Sequence, residues 1–155
     1  MILTTHALVG AAFGKQIHNP FLLVAILIPL HYLMDIFRHG EYLNKKSTFA
    51  NTAWKVVLDL AFALSTILTV AFFLHFDKQT LFFALLGAFI SMFPDLLTVL
   101  YWKLNFKFLK KIYLFHQFIH RRFPDDSKER VWNLRNAAND IFFSIIAILS
   151  LLFLN

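Results

Sequence analysis

Two pairs of side chains in this 155-residue sequence stand four residues apart in apolar surroundings: His31 with Asp35, in HYLMD, and His116 with His120, in HQFIH. On an α-helix that spacing puts both side chains on one face. Imidazole nitrogens and carboxylate oxygens projecting from helices are a recurrent way to hold a divalent cation inside a bundle. The donor set suits zinc first, and manganese or iron as alternatives. His39 either continues the His31–Asp35 stripe a turn later or belongs to a loop with Gly40 and Glu41. Ser91, Asp95 and Thr98 form another polar stripe, as do Asn136, Asp140 and Ser144. The chain has no cysteine, which excludes a disulfide framework and a Cys-ligated metal site.

Each feature also has a plainer reading. His31 and Asp35 alone could be a hydrogen-bonded structural pair, and His116 and His120 alone could be interfacial residues. Asp59 and Asp140 could be acids near helix starts, where the macrodipole favours them.

The elements that must position these groups follow from composition. The chain is 59% hydrophobic with a mean hydropathy of +0.63, and 20 of its residues are Phe. Charged residues make up 15%, against about 25% in soluble domains. The net charge is nevertheless +6 and the pI about 9.7. Such hydrophobicity excludes disorder. A soluble nucleic-acid binder would need a far more polar surface, so no nucleic acid is expected as partner.

Residues 20–37, 52–76, 80–101 and 133–154 form four apolar stretches. A helix needs about 20 such residues to cross the hydrocarbon core. Pro20 opens the first, and Pro94 predicts a kink in the third. Residues 4–17 are apolar, short and rich in small side chains (Ala7, Gly10, Ala11, Ala12, Gly14), so this segment must tilt, lean on neighbours or re-enter. No basic residue precedes its apolar part, so a cleaved signal peptide is not expected. Residues 105–123 have an amphipathic pattern suited to the membrane interface, with Phe108, Leu109, Ile112, Tyr113, Phe115, Ile119 and Phe123 on one arc. His116 and His120 fall within that arc, facing the bundle. Residues 124–130 read as a polar turn. The expected fold is all-α: a polytopic helical membrane bundle of four to five membrane helices plus one interfacial amphipathic helix, in a single integral membrane domain over residues 1–155.

If all five apolar segments cross, residues 37–51 and 102–132 share a side with the N-terminus. All of the 15 lysines and arginines except Lys15 and Lys78 lie in or near those regions. The positive-inside rule puts that side in the cytoplasm. The same charges could hold anionic lipid headgroups, which makes membrane lipid the expected partner. Acidic residues inside membrane helices are costly. Asp35, Asp59, Asp95 and Asp140 all lie toward the basic side, and His6 joins them. This shared depth on three or more helices favours a site over scattered structural pairs.

The order THALVGAAFG, HYLMD followed by RHGE, FPDLL and FHQFIH resembles bacterial inner-membrane proteins identified as metal-dependent hydrolases, themselves similar to the zinc-dependent phospholipase C family. The resemblance lies in short motifs between residues 4 and 120. It implies a metal set of His6, His31, Asp35, Asp95, His116 and His120, and a location in the bacterial inner membrane. Leu96 and Leu97 stand where that group often carries a further Asp and His, and the late histidines lack its His-Arg-Gly-x-x-His form.

The first functional expectation is metal-dependent hydrolysis of a phosphodiester or ester, of which a membrane lipid is one candidate, with Asp59 or Asp140 as general base or as an orienting group. The alternatives are proton or metal-ion transport through intramembrane acids and histidines, and a non-catalytic scaffold. No G-x-S-x-G, P-loop or H-E-x-x-H motif names another chemistry.

Overall fold

A computed structural model of the chain describes residues 1–42, 48–122 and 131–154, with the side chains of Phe49 and Arg122 also left out. Phe123, the 124–130 turn, Lys45 and Lys46 lie outside the described residues. Among the described residues there are six α-helices and no strand: α1 Leu3–Gln16, α2 Pro20–Asp35, α3 Phe49–Phe73, α4 Lys78–Leu104, α5 Lys110–Ile119 and α6 Leu134–Phe153. The all-helical expectation holds. By length and composition, α3, α4 and α6 can each cross a membrane, while α2 is a shorter apolar helix of 16 residues.

Local chemistry fixes the helix starts. The Asn19 side chain accepts from the backbone N–H groups of Phe21 and Leu22, and Pro20 occupies the first turn, where its missing N–H costs nothing. Asp77 caps α4 through the N–H of Thr80 at 2.7 Å, which holds its exposed carboxyl below the usual range. Asn105, in the left-handed conformation at φ 58°, ends α4.

The short α1 is the centre of the bundle and packs against α2, α3, α4 and α6. Its small residues explain this. A Cβ built on Gly10 would lie 2.2 Å from the Gly87 carbonyl oxygen, and one on Gly14 would lie 2.0 Å from that of Phe83. Only hydrogen at these positions lets the α1 and α4 backbones come so close, as in small-residue contacts between membrane helices.

The distribution of polarity is inverted relative to a soluble domain. Phe21, Phe62, Phe72, Phe73 and Phe153 are exposed, while His6, His31, Asp35, Asn136 and Asp140 are buried. An apolar exterior this extensive suits a bilayer.

The amphipathic segment departs from the expected single helix. A 3₁₀ turn at Lys107–Leu109, the ten-residue α5 and a second 3₁₀ turn at His120–Arg122 replace it. The buried stripe is Leu109, Tyr113, His116 and His120, whereas Phe108, Ile112 and Phe115 of the apolar arc are exposed. The segment docks on α4 through a narrow, partly polar stripe, with Tyr113 stacked on Tyr101 at 4.5 Å between centroids.

Candidate metal centre

The starts of α1 and α6, the ends of α2 and α4, and α5 meet at one end of the bundle. Pro94 takes an N–H out of the α4 ladder. In this same stretch the Ser91 carbonyl accepts from Nδ1 of His31 at 2.7 Å, and the Thr98 hydroxyl donates to the Pro94 carbonyl at 3.2 Å. The proline turn thus carries both Asp95 and the backbone acceptor that orients a facing histidine.

Asp35 is the hub. Its Oδ2 lies 3.1 Å from Nε2 of His31, 3.1 Å from Nε2 of His116 and 3.5 Å from Nε2 of His120. Its Oδ1 is 3.2 Å from Nε2 of His6 and also contacts the Met1 nitrogen. Asp95 stands opposite, 3.9 Å from His31 Nε2, 3.7 Å from His116 Nε2 and 3.9 Å from His6 Nε2. His31, Asp35, Asp95 and His116 each offer one ligand atom, and these atoms lie within 4.8 Å of one another.

The tautomers follow from the outer hydrogen bonds. A carbonyl only accepts, so Nδ1 of His31 carries a proton, which leaves Nε2 as the nitrogen able to offer a lone pair to a cation. Thr98 has committed its proton to Pro94, so its oxygen accepts from Nδ1 of His116 at 2.8 Å. The His116 Nε2, 3.1 Å from Asp35 Oδ2, is then the nitrogen left to share a proton with that carboxylate or to offer its lone pair to a cation. Orientation of ligand histidines through the second ring nitrogen is characteristic of metal sites. His31 Nε2 is fully buried and makes no hydrogen bond. A buried lone pair facing two carboxylates is unfavourable unless a proton or a cation lies between them. A divalent cation would satisfy all four donors at once. These residues therefore fit a metal, on donor chemistry and on the orphaned nitrogen.

A second group shares the hub: Asp35, His39 and His120 also offer ligand atoms within 4.8 Å of one another. His39 lies outside α2, in the segment that Gly40 sets against Trp132 and that the Glu41–Val131 bridge holds. Its Nδ1 donates to the Phe37 carbonyl at 2.7 Å, and its Nε2 is 3.1 Å from Glu41 Oε1. Burial holds its imidazole neutral, with its pKa lowered to about 3. Of the two places open to His39 in the sequence, the loop with Gly40 and Glu41 is the one it takes, although it still returns to Asp35.

His6 is adjacent to the four-donor group without joining it. Its ring stacks on His31 with centroids 4.0 Å apart. Asp59 and Asp140 go elsewhere. Asp59 accepts the N–H groups of Leu3 at 2.9 Å and Thr4 at 3.1 Å, contacts the Thr4 hydroxyl, and accepts the Tyr42 hydroxyl at 2.5 Å. Burial, then this bond, pushes the Tyr42 phenol up. Asp140 accepts the N–H of Ile2 at 3.0 Å and the Thr5 hydroxyl at 3.3 Å. Since Ile2 offers no side-chain cap, the two acids from α3 and α6 cap α1 from outside.

Asp95, His116 and His120 are among the residues lining a cavity of about 790 Å³ whose remaining wall is mostly apolar. Two of the four donors, Asp95 and His116, are therefore reachable from that cavity. No protein-family model, curated protein or solved structure matches this chain.

Proposed function

We propose that this chain is a membrane-embedded, metal-dependent hydrolase acting on a phosphodiester or ester of a membrane lipid. The observation that carries this reading is the His31, Asp35, Asp95 and His116 group, of which Asp95 and His116 open onto a large, mostly apolar cavity. A divalent ion there, zinc first by donor type, supplies Lewis acidity that activates water and polarises an ester or phosphoryl oxygen.

The chain's own residues have separable tasks. His31 and His116 offer lone pairs fixed by Ser91 and Thr98, and Asp35 and Asp95 offer carboxylate oxygens. His6 and His120 flank Asp35 from two sides. Asp59 and Asp140 act as positioning residues: by capping α1 they fix the helix start that carries His6. Lys103 lines the same cavity and favours an anionic group near the polar end.

The topology in this reading has four or five crossings with the N-terminus in the cytoplasm of a bacterial cell, because the basic residues other than Lys15 and Lys78 gather on that side. The resemblance to inner-membrane metal-dependent hydrolases points the same way. Transport is disfavoured because the ionisable cluster stops at one end of the bundle, while Leu60–Leu74 and Ile141–Leu154 are almost wholly apolar. A scaffold is disfavoured because interhelical polar contacts in membranes are worth only about 1 kcal/mol each.

The test is elemental analysis of detergent-purified protein, followed by hydrolysis of defined phospholipids with and without chelator. Stoichiometric metal and chelator-sensitive cleavage are expected, and His31→Ala and Asp95→Ala should each abolish metal binding. Metal-free protein that gains no activity with added zinc or manganese would sink the proposal.

A further inference from the structure

The large cavity does not end beside the metal group. A second, smaller cavity of about 220 Å³ shares Leu60, Phe89 and Met92 with it. The two run along the seam between α3 and α4. On the α3 side the lining passes from Ala53 through Leu60 to Ile67, and on the α4 side from Lys103 through Met92 to Leu85. At 1.5 Å per residue, the α3 side alone spans about 20 Å.

The seam exists because α3 leans on α1 and scarcely touches α4, although the two helices are consecutive in the chain. Small side chains form the floor of the inner part: Ala7, Ala63 and Ala88 line it, and all three are buried. Larger residues form the rims. Leu60, Leu64 and Phe89 are lining residues that are also exposed at the outer surface. The furrow is therefore open sideways, toward the apolar exterior, and its inner part, from Leu60 to Ile67 on α3, is lined by apolar residues alone.

We propose that this α3–α4 furrow is a binding site for one acyl chain of a bilayer lipid, entered laterally from the membrane, with the lipid's ester or phosphate end at the His/Asp group. The length agrees: from Asp95 to Leu85 the α4 side covers ten residues, about 15 Å, and one leaflet of a hydrocarbon core about 30 Å thick is about 15 Å deep. The polarity agrees as well: an apolar trough whose polar lining on α4, Asp95, Thr98 and Lys103, lies entirely on one side of Met92 matches an amphiphile and not a free polar solute. This inference names the substrate class of the proposed hydrolase and rests on that reading for the role of the polar end. Occupancy of the furrow does not depend on metal.

The experiment is photo-crosslinking of the full chain in phosphatidylglycerol vesicles doped with a lipid carrying a diazirine on one acyl chain, with labelled residues mapped by mass spectrometry. Several-fold enrichment of label at Val56, Leu60, Phe89 and Met92 over the outward Phe62, Phe72 and Phe142 is expected. Leu60→Trp, which fills the furrow, should lower that enrichment and leave metal content unchanged. His31→Ala should remove the metal and leave the enrichment. Label spread evenly over all exposed apolar residues of the unsubstituted protein would overturn the proposal, whatever the metal analysis gives. Enrichment at the furrow in protein that never binds metal would overturn the hydrolase reading alone.

Discussion

His31 donates from Nδ1 to the backbone carbonyl of Ser91 at 2.7 Å, and this one bond turns its other nitrogen, buried and without a hydrogen bond, toward Asp35 and Asp95. His116 is set in the same way by Thr98, a side chain that can be altered without touching the backbone.

Thr98→Val removes the acceptor for His116 Nδ1 and keeps the side-chain volume. The imidazole loses both its fixed tautomer and its fixed plane. Loss of such an outer partner costs about 10–100-fold in metal affinity. That drop is expected in competition with a chromophoric chelator. Thr66→Val is the control, because Thr66 bonds only its own helix at Phe62 on an exposed face.

Asp59→Ala should act on stability before chemistry. The carboxylate serves two backbone N–H groups at the start of α1. Loss of a cap costs about 0.5–2 kcal/mol, with more where the donors are left buried. Thermal unfolding in detergent should shift down, while the protein that remains folded keeps its metal. Normal stability combined with lost activity would instead make Asp59 a catalytic group.

These two residues show what spacing reveals and what it hides. The pairs His31–Asp35 and His116–His120 and the stripe of Ser91, Asp95 and Thr98 were readable because helical period alone fixes a shared face. The apolar stretches gave the long helices to within a few residues. The target of Asp59 was not readable, since it is the backbone of another helix more than 50 positions away. The same holds for Thr98, whose polar stripe was visible but whose partner on α5 was not. For His39 the four-residue spacing from Asp35 left helix and loop both open, because α2 ends at Asp35 and periodicity stops there. The break of the 105–123 helix followed from docking on α4, a tertiary contact that hydrophobic pattern does not encode.

Gly87→Ala tests whether the site depends on the spacing of α1 and α4. The new Cβ would lie 2.2 Å from the Gly10 carbonyl oxygen, and backbone cannot yield as a flexible side chain would. The helices must part, at a cost of about 1–3 kcal/mol or more for overpacking. His6 is on one of these helices and Asp95 on the other, so metal affinity should fall together with thermal stability. Ala88→Gly is the neighbouring control that adds no atoms. Unchanged affinity in a destabilised Gly87→Ala protein would show that α1 does not position the centre.

Metal retention should depend on pH with a defined sign. The lone pairs of His31 and His116 can bind either a proton or the cation, so acidification competes with the metal. Affinity should be highest at the alkaline end of the range and should fall as pH is lowered, because each proton taken up removes a lone pair from the cation. Because two imidazoles are freed together, the fall should be steeper than one proton per metal. Equilibrium dialysis between pH 8 and pH 5, with free metal read at each step, measures that slope. A slope near zero would mean that carboxylates alone hold the cation, and the histidine tautomers set by Ser91 and Thr98 would then have no bearing on binding.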